Sequence, residues 1–188
     1  MKKMNNKGFS LVELIIVIAI MAILAGAIAP ALIRYIDKSR KSNDISSSKT
    51  IKTAVETAMA NEDTYELLTT GTEASKTDED SNTFKYTGKL TITPGCETQN
   101  SGTGVAFALS GSVTNAKGDV SGNALTEIGK NIGEKIPKIK FKKDPAGGND
   151  KPKEFEVYCT AGGNVAVGIN TDGGKFYQLA PDVSKYYQ

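Results

Sequence analysis

Residues 9–33 read FSLVELIIVIAIMAILAGAIAPALI, and the architecture turns on this stretch. From Leu14 to Ile33 there are twenty residues without a charge. As a helix rising ~1.5 Å per residue they extend roughly 30 Å, the thickness of a bilayer's hydrocarbon core. Small residues at Ala25, Gly26, Ala27 and Ala29 resemble signal-peptide cleavage sites. The run is nevertheless longer than the ~7–15-residue apolar region of a secretory signal, so a membrane-spanning helix is the better reading.

The whole-chain averages conceal this segment. The protein has 188 residues, 39% of them hydrophobic, and a formal net charge of +2. Residues 14–33 hold 18 of the 73 hydrophobic residues, leaving 50 among the 155 that follow. That remainder is lean but sufficient for one modest core. With no histidine, histidine-based acid–base catalysis and the commonest metal ligand are excluded. Two cysteines cannot build a four-thiolate zinc site, and no phosphate-binding or dinucleotide glycine motif is present. Interspersed acids and bases with near-zero net charge argue against a nucleic-acid binder. Neither cofactor nor metal is implied.

Glu13 interrupts the apolar run four residues after Phe9. A lone carboxylate inside a membrane helix costs about 2.5–3.5 kcal/mol near the helix centre, so it calls for a partner. Ala19, Ala22, Ala25, Gly26 and Ala29 recur at three- and four-residue spacing, a small-residue stripe that lets helix backbones approach closely. Pro30 deprives the Gly26 carbonyl of its donor, and Gly26 itself lowers helix propensity. A kink or local unwinding is therefore predicted around Gly26 and Pro30. Lys2, Lys3 and Lys7 precede the run while Arg34, Lys38, Arg40 and Lys41 follow it, so the positive-inside rule leaves orientation undecided.

The string KGFSLVELIIVIAIMAILAGAIAP, Lys7 to Pro30, resembles the amino terminus of a type IVa prepilin. The resemblance is close over residues 1 to about 35 and architectural beyond. It implies a leader at residues 1–8, cut after Gly8 by a prepilin peptidase on the cytoplasmic side. It implies that Phe9 then carries the new α-amine and is methylated there. It also implies that Glu13 recognises this amine on a neighbouring subunit during assembly, which supplies the counter-charge that a buried carboxylate requires. By the same resemblance, the Gly26–Pro30 stretch loses helicity in assembled filaments. Removal of the leader would leave 20 bases against 21 acids, a formal charge of −1.

Past Ile33 the chain turns polar. Ile51, Ala54, Val55, Ala58 and Met59 form one helical face, and neither proline nor glycine lies between Pro30 and Gly71. One helix from Phe9 to about Ala60 is predicted: apolar over 9–33, then amphipathic over 34–60. Residues 61–188 read as a β-rich head, beginning with a short helix near Glu62–Leu68 and an exposed loop to residue 83. Strands are expected at Phe84–Thr93, Val105–Ser110, Lys138–Lys142, Glu154–Thr160, Val165–Ile169 and Lys175–Leu179, with a helix at Ala124–Lys135. Asn170 to Gly174 (NTDGG) reads as a hairpin turn. The predicted fold is α+β: a long amino-terminal helix with its apolar half protruding and its amphipathic half packed on an antiparallel sheet, as in the pilin fold.

Cys96 and Cys159 leave two readings open, a disulfide or a pair of partly buried free thiols. A bridge is the default outside the cytoplasm and would stabilise by roughly 4 kcal/mol on the chain-entropy model. Asp172 with Asp182 hints at calcium, but an Asp-Gly turn needs no ion. The resemblance implies a non-enzymatic structural subunit: anchored in the cytoplasmic membrane by a single span, then polymerised into an extracellular type IV pilus. Its implied partners are further copies of itself, the prepilin peptidase, the membrane assembly platform, and host or neighbouring-cell surfaces in adhesion, surface motility or aggregation. A type II secretion pseudopilin would share the amino terminus. A DNA-uptake pilin would carry a basic stripe on the head, and none is evident in the sequence. A membrane-anchored enzyme would need convergent nucleophiles or paired acids that are not found.

Overall fold

A helix of 48 residues, α1 (Leu11–Ala58), opens the computed structural model, which describes residues 9–94, 113–114, 121–133 and 136–188. The chain is α+β, this helix being followed by antiparallel sheets. It divides into two compact units, residues 1–39 and 40–188, and α1 contributes to both.

In the first unit every residue from Phe9 to Ile36 is exposed. Among the described residues nothing covers the apolar run from Leu14 to Ile33, which is the condition of a helix built for lipid or for other helices. The weakness expected at Gly26 and Pro30 produces no break here: α1 is helical through both, with Pro30 inside it.

The second unit is layered. On one face of α1, Ile51, Val55 and Ala58 are buried with Met59 in a core shared with the main sheet. After α1 come α2 (Glu62–Thr69), β1 (Ala74–Thr77), β2 (Thr83–Tyr86), β3 (Gly88–Ile92), β4 (Val113–Thr114), α3 (Ser121–Ile132), β5 (Pro152–Cys159), β6 (Val165–Thr171) and β7 (Phe176–Ala180). The five-stranded sheet has the order β4-β3-β5-β6-β7, antiparallel throughout, while β1 and β2 form a separate hairpin. Strand alternation in β5 sends Phe155, Val157 and Cys159 into the α1-side core. Glu156 and Tyr158 face the other way, where the β1–β2 hairpin covers them. The Phe84 and Tyr86 rings meet Tyr158 edge-on with centroids 5.4 and 4.7 Å away, and Glu156 accepts from the Tyr158 hydroxyl at 2.6 Å and pairs with Lys89.

The single strand expected at Phe84–Thr93 is two strands serving different sheets. The switch falls at Thr87 and Gly88. Thr87 donates its N–H to the Cys159 carbonyl at 2.8 Å, and a Cβ on Gly88 would lie 2.3 Å from the Leu68 carbonyl oxygen. Only glycine permits that approach of β3 to α2. The loop expected up to residue 83 contains β1. The last three expected strands and both short helices are present with shifted ends. Thr171 and Lys175 close the β6–β7 hairpin across Asp172 to Gly174. The Val105–Ser110 strand lies outside the described residues.

Lys138–Lys142, expected as a strand, joins no sheet. Asp44, a fully buried carboxylate on α1, takes its backbone instead: Oδ1 accepts from Lys140 N–H at 2.6 Å and Oδ2 from Phe141 N–H at 3.0 Å. The segment becomes an extended strap along α1, with Ile139 and Phe141 buried in the core. Burial raises the Asp44 pKa above the ordinary carboxylate value, although both N–H bonds oppose that shift. A second buried carboxylate, Asp144, ends the strap. It accepts from Ala146 and Asp150 N–H at 2.8 and 3.2 Å and from the Tyr177 hydroxyl at 3.1 Å, with the Lys175 ammonium 3.4 Å away. Burial pushes its pKa up, but these donors together outweigh burial and hold it below the ordinary value.

The two carboxylates make opposite predictions. Asp44→Ala strands two buried N–H groups and should destabilise the head by about 2–4 kcal/mol, read by urea unfolding of the detergent-solubilised chain. Asp44→Asn keeps one acceptor and should cost less. Because the folded Asp44 pKa is raised, wild type gains stability as pH falls through that value toward 3.8, so the Asp44→Asn deficit should widen on acidification. Asp144 is depressed, so its contribution is present above 3.8 and lost as pH falls through the folded value. The Asp144→Asn deficit should therefore shrink in acid. Two deficits moving in the same direction would contradict the opposed shifts.

Candidate assembly site

The entry to α1 is built from four residues. Ser10 precedes the helix, and its carbonyl accepts the Leu14 N–H at 3.2 Å as the first turn closes. Glu13 lies in that turn, and its carboxylate reaches back to the Ser10 N–H at 2.9 Å. This is the Glu half of a capping box, with Ser10 at the N-cap and Glu13 three residues on. The partial positive charge of the helix amino terminus also favours a carboxylate there. Phe9 is 88% exposed immediately upstream. Glu13 is thus turned toward the end of the helix where Phe9 sits, one residue beyond its hydrogen-bond partner. The role of Ser10 was not read from the sequence, although the Ser-x-x-Glu spacing carries that signal. Gly8 lies outside the described residues.

Along the rest of the segment the chain supplies no counter-charge: between Glu13 and Arg34 the sequence contains no ionisable side chain. Among the described residues, none of an 18-residue apolar stretch of α1 is buried. In the small-residue stripe, a Cβ added at Gly26 would meet nothing within 4 Å, so the notch there is open. A carboxylate at the mouth of an exposed apolar helix can cap its own backbone or bind a cation brought to it. Among the described residues no reacting group lies beside it.

The remaining described candidates, Cys159 and Asp172, belong to the second unit. Cys159 is a buried free thiol whose pKa burial pushes up to about 12, far from the thiolate needed for reactivity. Cys96, and with it the expected pairing, lies outside the described residues. Asp172 accepts the Lys151 N–H at 2.7 Å, a turn-closing role.

The model of the prokaryotic N-terminal methylation motif matches residues 3–29. Fimbrial protein Q of Moraxella bovis is 43% identical over 75 residues, which are 40% of this chain and 46% of that protein. Type IV major fimbrial protein FimA of Dichelobacter nodosus is 42% identical over 57 residues, 30% of this chain and 36% of that protein. The chain thus spans less than half the length of these relatives. No solved structure matches it. Both relatives are named as fimbrial proteins. The methylation motif thus lies across Phe9, Glu13 and the exposed apolar helix, and in this amino-terminal part the chain is similar to type IV fimbrial proteins.

Proposed function

We propose that this protein is a structural subunit of an extracellular type IV pilus, processed at the cytoplasmic membrane and polymerised through α1. The observation that carries the reading is the pairing of an exposed, charge-free helix with a single carboxylate turned toward Phe9. Cleavage after Gly8 would create an α-amine at Phe9. In a filament, the Glu13 carboxylate would exchange its Ser10 N–H for the amine of a neighbouring subunit, a charge-assisted bond in an apolar surround. The same helix would exchange lipid for neighbouring helices, with the small-residue stripe setting their closest approach.

Gly26 and Pro30 would supply local unwinding when the filament forms or extends. The proline already withholds one helical hydrogen bond, so opening there costs less than elsewhere in α1. The head would form the outer surface, where adhesion, surface motility or aggregation would reside.

Mass spectrometry of the mature chain should find an amino terminus at N-methylated Phe9. A retained leader, or cleavage near Ala29, would exclude this processing. Glu13→Ala should be processed like the wild type but yield few or shortened filaments in sheared-cell fractions, since it removes the charge and not the apolar surface. Glu13→Gln, which keeps the cap acceptor without the charge, should be similarly defective. Normal filaments from Glu13→Gln would assign Glu13 to helix capping alone.

A further inference from the structure

The apolar run of α1 ends abruptly. Ile33 is its last residue, and Arg34 follows as the first ionisable side chain after Glu13. Arg34, Tyr35 and Lys38 are all exposed, Tyr35 by 73%. At about 100° per helical residue the three occupy a single arc of about 100°, with Lys38 between Arg34 and Tyr35. Ile36 falls on the opposite side of the helix. Asp37 lies beyond Arg34, away from Tyr35; it is half-buried and has contacts of its own. Among the described residues neither Arg34 nor Lys38 enters an ion pair.

Position along the helix gives this arc its meaning. Leu14 to Ile33 matches the thickness of the hydrocarbon core, so side chains starting one residue beyond it stand at the level of the phospholipid headgroups. Tyrosine favours that depth, with its ring in the apolar boundary and its hydroxyl in water. A guanidinium takes a phosphodiester through two parallel N–H donors, and a lysine one turn away adds a point charge. We propose that Arg34 and Lys38, with Tyr35 beside them, form a headgroup site for an anionic phospholipid of the phosphatidylglycerol class. Two cations without a counter-ion favour such a lipid over a zwitterionic one, whose own ammonium they would repel. The apolar run next to the site receives the acyl chains, which free phosphate lacks. At the other end of the run stands Glu13, and cleavage after Gly8 would remove Lys2, Lys3 and Lys7, so in the mature chain this is the end that attracts an anion. The site rests on the reading of α1 as a membrane span.

The test uses the full chain reconstituted in phosphatidylcholine bilayers, with electron paramagnetic resonance of spin-labelled lipid tracers reporting the fraction held at the protein. At low salt a phosphatidylglycerol tracer should be held about fivefold more strongly than a phosphatidylcholine tracer of the same chains. The excess should shrink in molar salt, where screening is short-ranged. Arg34→Gln combined with Lys38→Gln should bring the two tracers to parity, and Arg34→Lys should retain most of the preference. A control that removes the same charge from the head, Lys138→Gln with Lys140→Gln, should leave it unchanged. Parity in the wild type, an undiminished preference in the double variant, or equal loss in the control would overturn the site. Displacement of the phosphatidylglycerol tracer by millimolar inorganic phosphate at constant ionic strength would make the ligand free phosphate and overturn the lipid site. Extraction with alkaline carbonate separates this from the span itself. Wild type that stays in the vesicles yet shows parity loses the headgroup site alone; wild type that is extracted overturns the span, and the site with it.

Discussion

Two hydrogen bonds from one carboxylate fix how the head is organised around α1. Asp44 is polar and fully buried at a position of the helix face that elsewhere carries Ile51, Val55 and Ala58. An unpartnered charge there would be prohibitive, and the N–H groups of Lys140 and Phe141 are what make it tolerable. The same bonds withdraw residues 138–142 from strand pairing and set them along the helix. From that follow the burial of Ile139 and Phe141 and the outward row of lysines. The carboxy-terminal turn then closes over the arrangement: Lys41 donates to the Tyr186 carbonyl and lies 5.2 Å from the Phe141 ring centroid and 5.8 Å from that of Tyr187.

A single helix thus meets two different demands. Residues 40–58 present one face to a core and the other to water, and their stability comes from packing. Residues 11–36 have no core of their own and rely on what surrounds them. Before Arg34 the segment's one acidic side chain, Glu13, lies in the first turn, where it costs least: that turn offers a backbone donor and a favourable dipole. In the proposed assembly the Ser10 bond, charged on one side only, would give way to a bond with an ammonium charged on both sides. Capping and the proposed assembly role would then be successive uses of one carboxylate.

What the sequence made legible follows from where the pattern was local. The apolar run, Glu13, the 51–59 face and the NTDGG turn each depend on neighbours within a few residues, and periodicity or turn chemistry reads them directly. The strap was misread because Lys138 to Lys142 has the alternation of a strand. Alternation records an extended backbone with one buried side, and it is silent on whether the N–H groups find another strand or a carboxylate 96 residues away. Asp44 itself broke no rule: in a serine- and lysine-rich stretch, an aspartate reads as solvated. The break between β2 and β3 was hidden for the same reason. It depends on the Leu68 carbonyl approaching Gly88, a contact no local pattern encodes.

Asp44 and Asp144 also show why net charge is a poor guide to this head. Both acids near the strap are turned inward, and each is absorbed by donors from the protein. Only lysines remain on the outside, so the segment's field at the surface is more positive than its residue count. Seven acids fall in residues 61–83, where hairpin and turn contacts employ several of them: Glu73 with Lys85, Asp80 with Lys185. Charges that sum nearly to zero along the chain are thus unevenly placed, acids dense in residues 61–83 and lysines in 135–153, so the net charge alone says little about the field near either segment.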